Sequence, residues 1–132
     1  MTNLLHRSSL RSVLALDAAT CAVMGILLVS ASGLVSGITL IPASLLFWAG
    51  LVLLPIAAFM AVFARAATVP TWAVQVIVLG NVLWVLGSVA LPALGLISPN
   101  AFGWLFLLAQ AAVVAVFAGL EWSARPRLAA AA

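Results

Sequence analysis

The five basic residues of this chain, all arginine, stand outside four long apolar runs, and that placement leaves few architectures open. Arg7 and Arg11 precede the first run, Arg65 closes the second, and Arg125 and Arg127 follow the fourth. The links between runs one and two, and between three and four, carry no charge. Cytoplasmic segments hold the Lys/Arg excess in membrane proteins, so the pattern predicts four spans with both termini and the central link on the cytoplasmic side. The expected fold is all-α: a polytopic membrane protein forming one four-transmembrane-helix bundle, with spans at about 12–35, 44–66, 72–96 and 101–123.

Composition supports the same class. With 67% hydrophobic residues and 5% charged ones over 132 residues, the chain could not cover a water-facing surface. The net charge of +3 comes from a few arginines beside two acids. It suits orientation and anionic headgroups, and supplies no basic patch for a nucleic acid. Arg7 and Arg11 before an apolar run with Ser30, Ala31 and Ser32 resemble a signal peptide. However, the run is long for one, contains Asp17, and its removal would leave an odd number of spans. Cys21 is the single cysteine and His6 the single histidine. Neither a disulfide, a CxxC pair, a bis-histidine haem site nor a histidine-rich metal site can be built from them, and no cofactor is expected.

The two halves resemble each other. Phe59-Met60-Ala61-Val62-Phe63-Ala64 aligns with Val113-Val114-Ala115-Val116-Phe117-Ala118, Gly33-Leu34 before Pro42 with Gly95-Leu96 before Pro99, and Asp17 with Asn81. Two copies of two spans each would be parallel hairpins related by an axis along the membrane normal. Helix is the expected spanning structure because an open sheet edge in lipid leaves backbone groups unpaired. Pro42, Pro70 and Pro99 fall at span starts, where a missing N–H matters little. Pro55 falls inside span two and is expected to kink it, as a fit of shape or as the wall of a cavity. Trp48 and Trp104 at one end, and Trp72 and Trp122 at the other, form aromatic belts, whereas Trp84 lies deep and its indole N–H needs a partner.

Function, if any side chain carries it, rests on the polar residues within the spans: Asp17, Thr20, Gln75, Asn81, Ser88 and Gln110, with Glu121 near the end of span four. Asp17 shares a helix face with Cys21, Met24 and Leu28; Asn81 with Trp84 and Ser88; Gln110 with Val114, Phe117 and Glu121. Counted from the cytoplasmic side, Asp17 lies about 9 Å deep, Asn81 about 14 Å and Gln110 about 18 Å, so the last two could form one ladder. An ionised carboxylate at the bilayer centre costs about 2.5–3.5 kcal/mol, so Asp17 should pair or protonate. Arg65, able to snorkel along the neighbouring helix, is the expected ion-pair partner, with Glu121 the other charged residue for such pairing. Two readings follow. In one, Asn81 and Gln110 are interhelical glue and Asp17 closes a salt bridge. In the other, Asp17 gates a polar path where protonation couples to binding or transport. Gly25, Gly80 and Gly87 allow close helix approach under either.

Size and an acid in the first span invite comparison with small multidrug-resistance transporters. Leu14-Ala15-Leu16-Asp17-Ala18-Ala19-Thr20 does not reproduce that family's motif, and the one-sided charge bias opposes the dual topology of its antiparallel members and of fluoride channels. With Asn81-Val82-Leu83-Trp84 followed by Ser88, and Glu121-Trp122 after span four, the chain resembles the small Ala- and Leu-rich four-span proteins of bacterial inner membranes. That resemblance covers the whole chain and implies a location but no site residues. An intramembrane enzyme would need a dyad, a metal cluster or a cofactor lysine, and the chain has no lysine at all. The reading is therefore a non-enzymatic protein embedded in the lipid bilayer, an accessory subunit with a membrane-protein partner or second copy, or a binder of a lipid-like ligand. The alternative is a small proton-coupled transporter centred on Asp17.

Overall fold

Apolar runs of twenty or more residues can satisfy their backbone groups in lipid only by bonding within themselves, and all four runs are helical. The structure, a computed structural model describing residues 2–126, consists of α1 (Thr2–Thr39), α2 (Ala43–Arg65), α3 (Thr71–Ala93) and α4 (Ala101–Ser123). Each is long and apolar enough to cross a membrane, α1 over Ser9–Thr39. The side chains of His6 and Arg7, and all of Arg127, lie outside the described residues. The first span thus runs further than 12–35. The third stops at Ala93, short of 96, where Pro92 and then Gly95 in the left-handed region (φ 74°) turn the chain.

The prolines act as punctuation: Pro42 caps α2 and Pro70 caps α3. Pro99 stands one residue before the cap of α4, Asn100, whose Oδ1 accepts from Gly103 N at 2.8 Å. Alpha1 bends at Ala31 (φ −129°, ψ 26°), beside Ser30, whose hydroxyl bonds back to Ile26 O at 2.6 Å. Such back-bonding competes with the helix ladder and accompanies bends.

The helices pack as two hairpins. Alpha1 and α2 cross closely at two glycines. A Cβ on Gly50 would lie 2.9 Å from Gly25 O, and one on Gly25 would lie 3.0 Å from Gly50 O. Small residues of this kind let backbones meet where lipid gives no hydrophobic drive to association. Alpha3 packs on α4, and α1 on α4, so the hairpins join along the α1–α4 seam. That seam is pinned at the end remote from the termini. Asn100 N bonds Thr39 O at 3.1 Å, and Asn100 Nδ2 bonds Ile38 O at 2.8 Å. One asparagine therefore caps α4 and also satisfies the last carbonyls of α1. Gly103 is obligatory there, because an added Cβ would fall on Thr39 O.

Alpha2 and α3 make no such seam. They are held at the terminal end by edge-on stacking of Phe59 and Phe63 on Trp72, with centroids 6.3 and 5.6 Å apart, and separate beyond it. Under a twofold relation between hairpins, the α2–α3 seam would copy the α1–α4 seam. Instead the bundle is shut on one side and cleft on the other.

Candidate functional site

Asp17, Asn81 and Glu121 come from α1, α3 and α4 and meet in the shut half of the bundle. Asn81 Nδ2 donates to Asp17 Oδ2 at 3.0 Å and to Glu121 Oε1 at 2.7 Å. Cys21, one turn beyond Asp17, donates its thiol to Asp17 Oδ1 at 3.6 Å. All four are buried, with Asp17 at 1% and Glu121 at 0% exposure. Among the described residues, Glu121 Oε2 has no hydrogen-bond partner.

Helix direction brings the three together. Side chains lean toward the N-terminus of their helix. Glu121 stands only about 3 Å from the end of α4, but because α4 runs toward the terminal end its carboxyl leans inward. Asn81, about 15 Å along α3, leans the opposite way, toward the carboxyls. They therefore converge although their Cα positions suggest different depths.

The expected ion pair between Arg65 and Asp17 does not form. Asp17 turns to Asn81 and Cys21, while Arg65 is exposed at the end of α2. Among the described residues Glu121 likewise pairs with no arginine, and it is part of the buried cluster. Arg11 Nε donates to Ala64 O at 3.2 Å, and Arg125 stacks on the Trp122 ring at 3.8 Å.

A second cluster lies deeper. Trp84 Nε1 donates to Gln110 Oε1 at 2.7 Å, and Gln110 Nε2 donates to Ser88 Oγ at 2.8 Å and Leu107 O at 2.9 Å. Ser88 Oγ donates to Trp84 O at 2.7 Å. The half-buried indole thus finds its partner, and the amide of Gln110 is satisfied. Asn81 and Gln110 do not form a single ladder; each anchors its own cluster, with Trp84 between. Gln75 is exposed on α3, and Thr20 bonds only its own helix at Leu16 O.

Two cavities occupy the cleft between α2 and α3, and both touch Trp84. The first, about 220 Å³, lies toward the remote end among Met24, Leu46, Ala49, Leu91 and Phe106, with Ser88 and Gln110 on one wall. The second, about 410 Å³, is lined by Leu53, Pro55, Ile56, Phe59, Gly80 and Val114, and reaches Cys21 and Asn81. Pro55 is thus a wall residue of the larger cavity. Among the described residues no cluster of His, Cys, Asp or Glu could hold a metal ion.

The chain matches no family model, and neither a curated protein nor a solved structure is similar to it.

The acid pair was only half legible in the sequence. Asp17 and Asn81 stand out as polar residues deep in apolar runs, but Glu121 reads as an interfacial residue because it is two positions from the end of its helix. The signal that finds it is the direction of its Cβ along α4 together with the stripe it shares with Gln110. Asn100 also carried no signal beyond its capping propensity.

Proposed function

We propose that this chain is a non-enzymatic integral membrane protein that binds a lipid-like molecule in the cleft between α2 and α3. The carrying observation is the pair of cavities along that one seam, apolar throughout except where Trp84, Ser88, Gln110 and Asn81 border them. Ligand sites are typically concave and largely apolar with a few convergent polar groups. A cleft flanked by membrane-spanning helices faces acyl chains, so the matching occupant is a lipid tail or a ligand of the same character. The arginine placement supports an orientation with both termini cytoplasmic, and the resemblance to small four-span proteins suggests a bacterial inner membrane.

The test is native mass spectrometry of protein released from its own membrane, comparing wild type with Gly80→Leu. Gly80 borders the larger cavity, and a side chain there meets open space. Wild type should leave with a lipid-sized mass that the variant lacks. Equal retention by both would refute the cleft as the site. A second polypeptide at fixed stoichiometry, with no small molecule, would favour the accessory-subunit reading.

One observation favours a second reading. A buried acid pair beside the larger cavity is the equipment of a proton-coupled carrier centred on Asp17. Asp17→Asn separates the two. A lipid binder keeps its ligand at every pH, whereas a carrier loses pH-dependent binding while remaining folded.

A further inference from the structure

The two acidic side chains of the whole chain are Asp17 and Glu121, and both are in one buried cluster on one shared amide. Two carboxyl groups that bracket the same nitrogen at 3.0 and 2.7 Å stand against each other, where two full negative charges would repel in a medium that screens poorly. Among the described residues, the groups facing them do not neutralise that charge. Alpha1 adds only the Cys21 thiol and α3 the neutral Asn81, while the buried residues of α2 are apolar. The described arginines are engaged elsewhere or exposed.

Counting donors locates what is missing. Asp17 Oδ1 accepts from Cys21, Asp17 Oδ2 from Asn81, and Glu121 Oε1 from Asn81, so three of four carboxyl oxygens have a donor. Glu121 Oε2 has none, although the residue is fully buried. A buried polar atom without a partner is rare and calls for an explanation. A proton shared with the neighbouring carboxyl supplies one, because it gives the orphan oxygen a hydrogen bond whichever of the two residues carries it. A proton on either carboxyl of the pair gives Glu121 Oε2 its missing hydrogen bond, so the geometry calls for one proton held between the two.

We propose that Asp17 and Glu121 form a proton-binding site that holds one proton between them, in a hydrogen bond that joins Glu121 Oε2 to the Asp17 carboxyl. The site is independent of what fills the cleft and does not depend on the lipid-binding reading. It sits across the α1–α4 seam, so the proton is part of the clasp between hairpins. Its removal leaves like charges on opposite sides of that seam and loosens it.

Infrared spectroscopy of the purified full chain in a detergent that carries no carbonyl group tests the site directly, because no other side chain supplies a carboxyl. At neutral pH the wild type should show the C=O band of one protonated carboxyl per chain, shifted in D₂O. Glu121→Gln should abolish the band while keeping the fold, since its amide can donate to Asp17 in place of the proton. No protonated band in wild type, or a band equal to two per chain, overturns the single-proton assignment. A band that persists in folded Glu121→Gln overturns the paired site, because the proton would then need only Asp17. The wild-type spectrum decides the count even if the variant fails to fold.

Discussion

Gly50→Ala gives the sharpest mechanical test of how the first hairpin is built. The new methyl would lie 2.9 Å from Gly25 O and from Leu28 Cβ, where ordinary contact begins at 3.4 Å, a shortfall of about half an ångström. Gly25 O is backbone, so relief requires α1 as a whole to back away from α2. A radial gap of that size already forfeits about a quarter of the dispersion attraction of each affected contact. Overpacking of a well-packed interior generally costs about 1–3 kcal/mol. With a rigid carbonyl as the obstacle, the upper part, about 2–3 kcal/mol, is expected. Gly119→Ala is the control, because a Cβ there meets nothing within 4 Å. Reversible unfolding in mixed detergent, followed by far-ultraviolet circular dichroism, reads both. A Gly50→Ala protein as stable as wild type, or a Gly119→Ala protein equally weakened, would refute the close-crossing argument.

Three further outcomes follow from the clusters and caps. Asn81→Leu removes the donor of both carboxyls and should destabilise by about 1–3 kcal/mol in the same unfolding assay, the cost of stranding buried acceptors. Ser88→Ala should cost less, about 0.6 kcal/mol, because Gln110 keeps Leu107 O and Trp84. Asn100→Ala removes the α4 cap and the bond to Ile38 O and should cost about 0.5–2 kcal/mol, with faster amide exchange at the end of α1.

The charge pattern and the apolar runs carried the four helices, and the prolines carried most of the boundaries, because both act locally. Trp84 could be read as needing a partner, yet nothing in sequence spacing says that Gln110 supplies it across 26 positions. The Arg65–Asp17 pairing failed for a physical reason: Asp17 is buried on the α1 face that meets α3 and α4, whereas Arg65 is exposed at the end of α2. The open α2–α3 seam was hidden altogether. Leu, Val and Ala suit a helix neighbour, a lipid tail and a cavity wall equally, so composition does not distinguish a shut seam from a cleft.

Whether acyl chains enter that cleft is decided most directly at Trp84, which borders both cavities. A variant with Trp48, Trp72, Trp104 and Trp122 replaced by Phe leaves Trp84 as the one fluorophore, to be measured in bilayers of lipid brominated along the chain. A lipid-filled cleft predicts strong quenching by mid-chain bromine, none by aqueous iodide, and loss of the bromine effect in Gly80→Leu. Emission insensitive to bromine, or quenched by iodide, would contradict a lipid-filled cleft, the second outcome revealing an aqueous path.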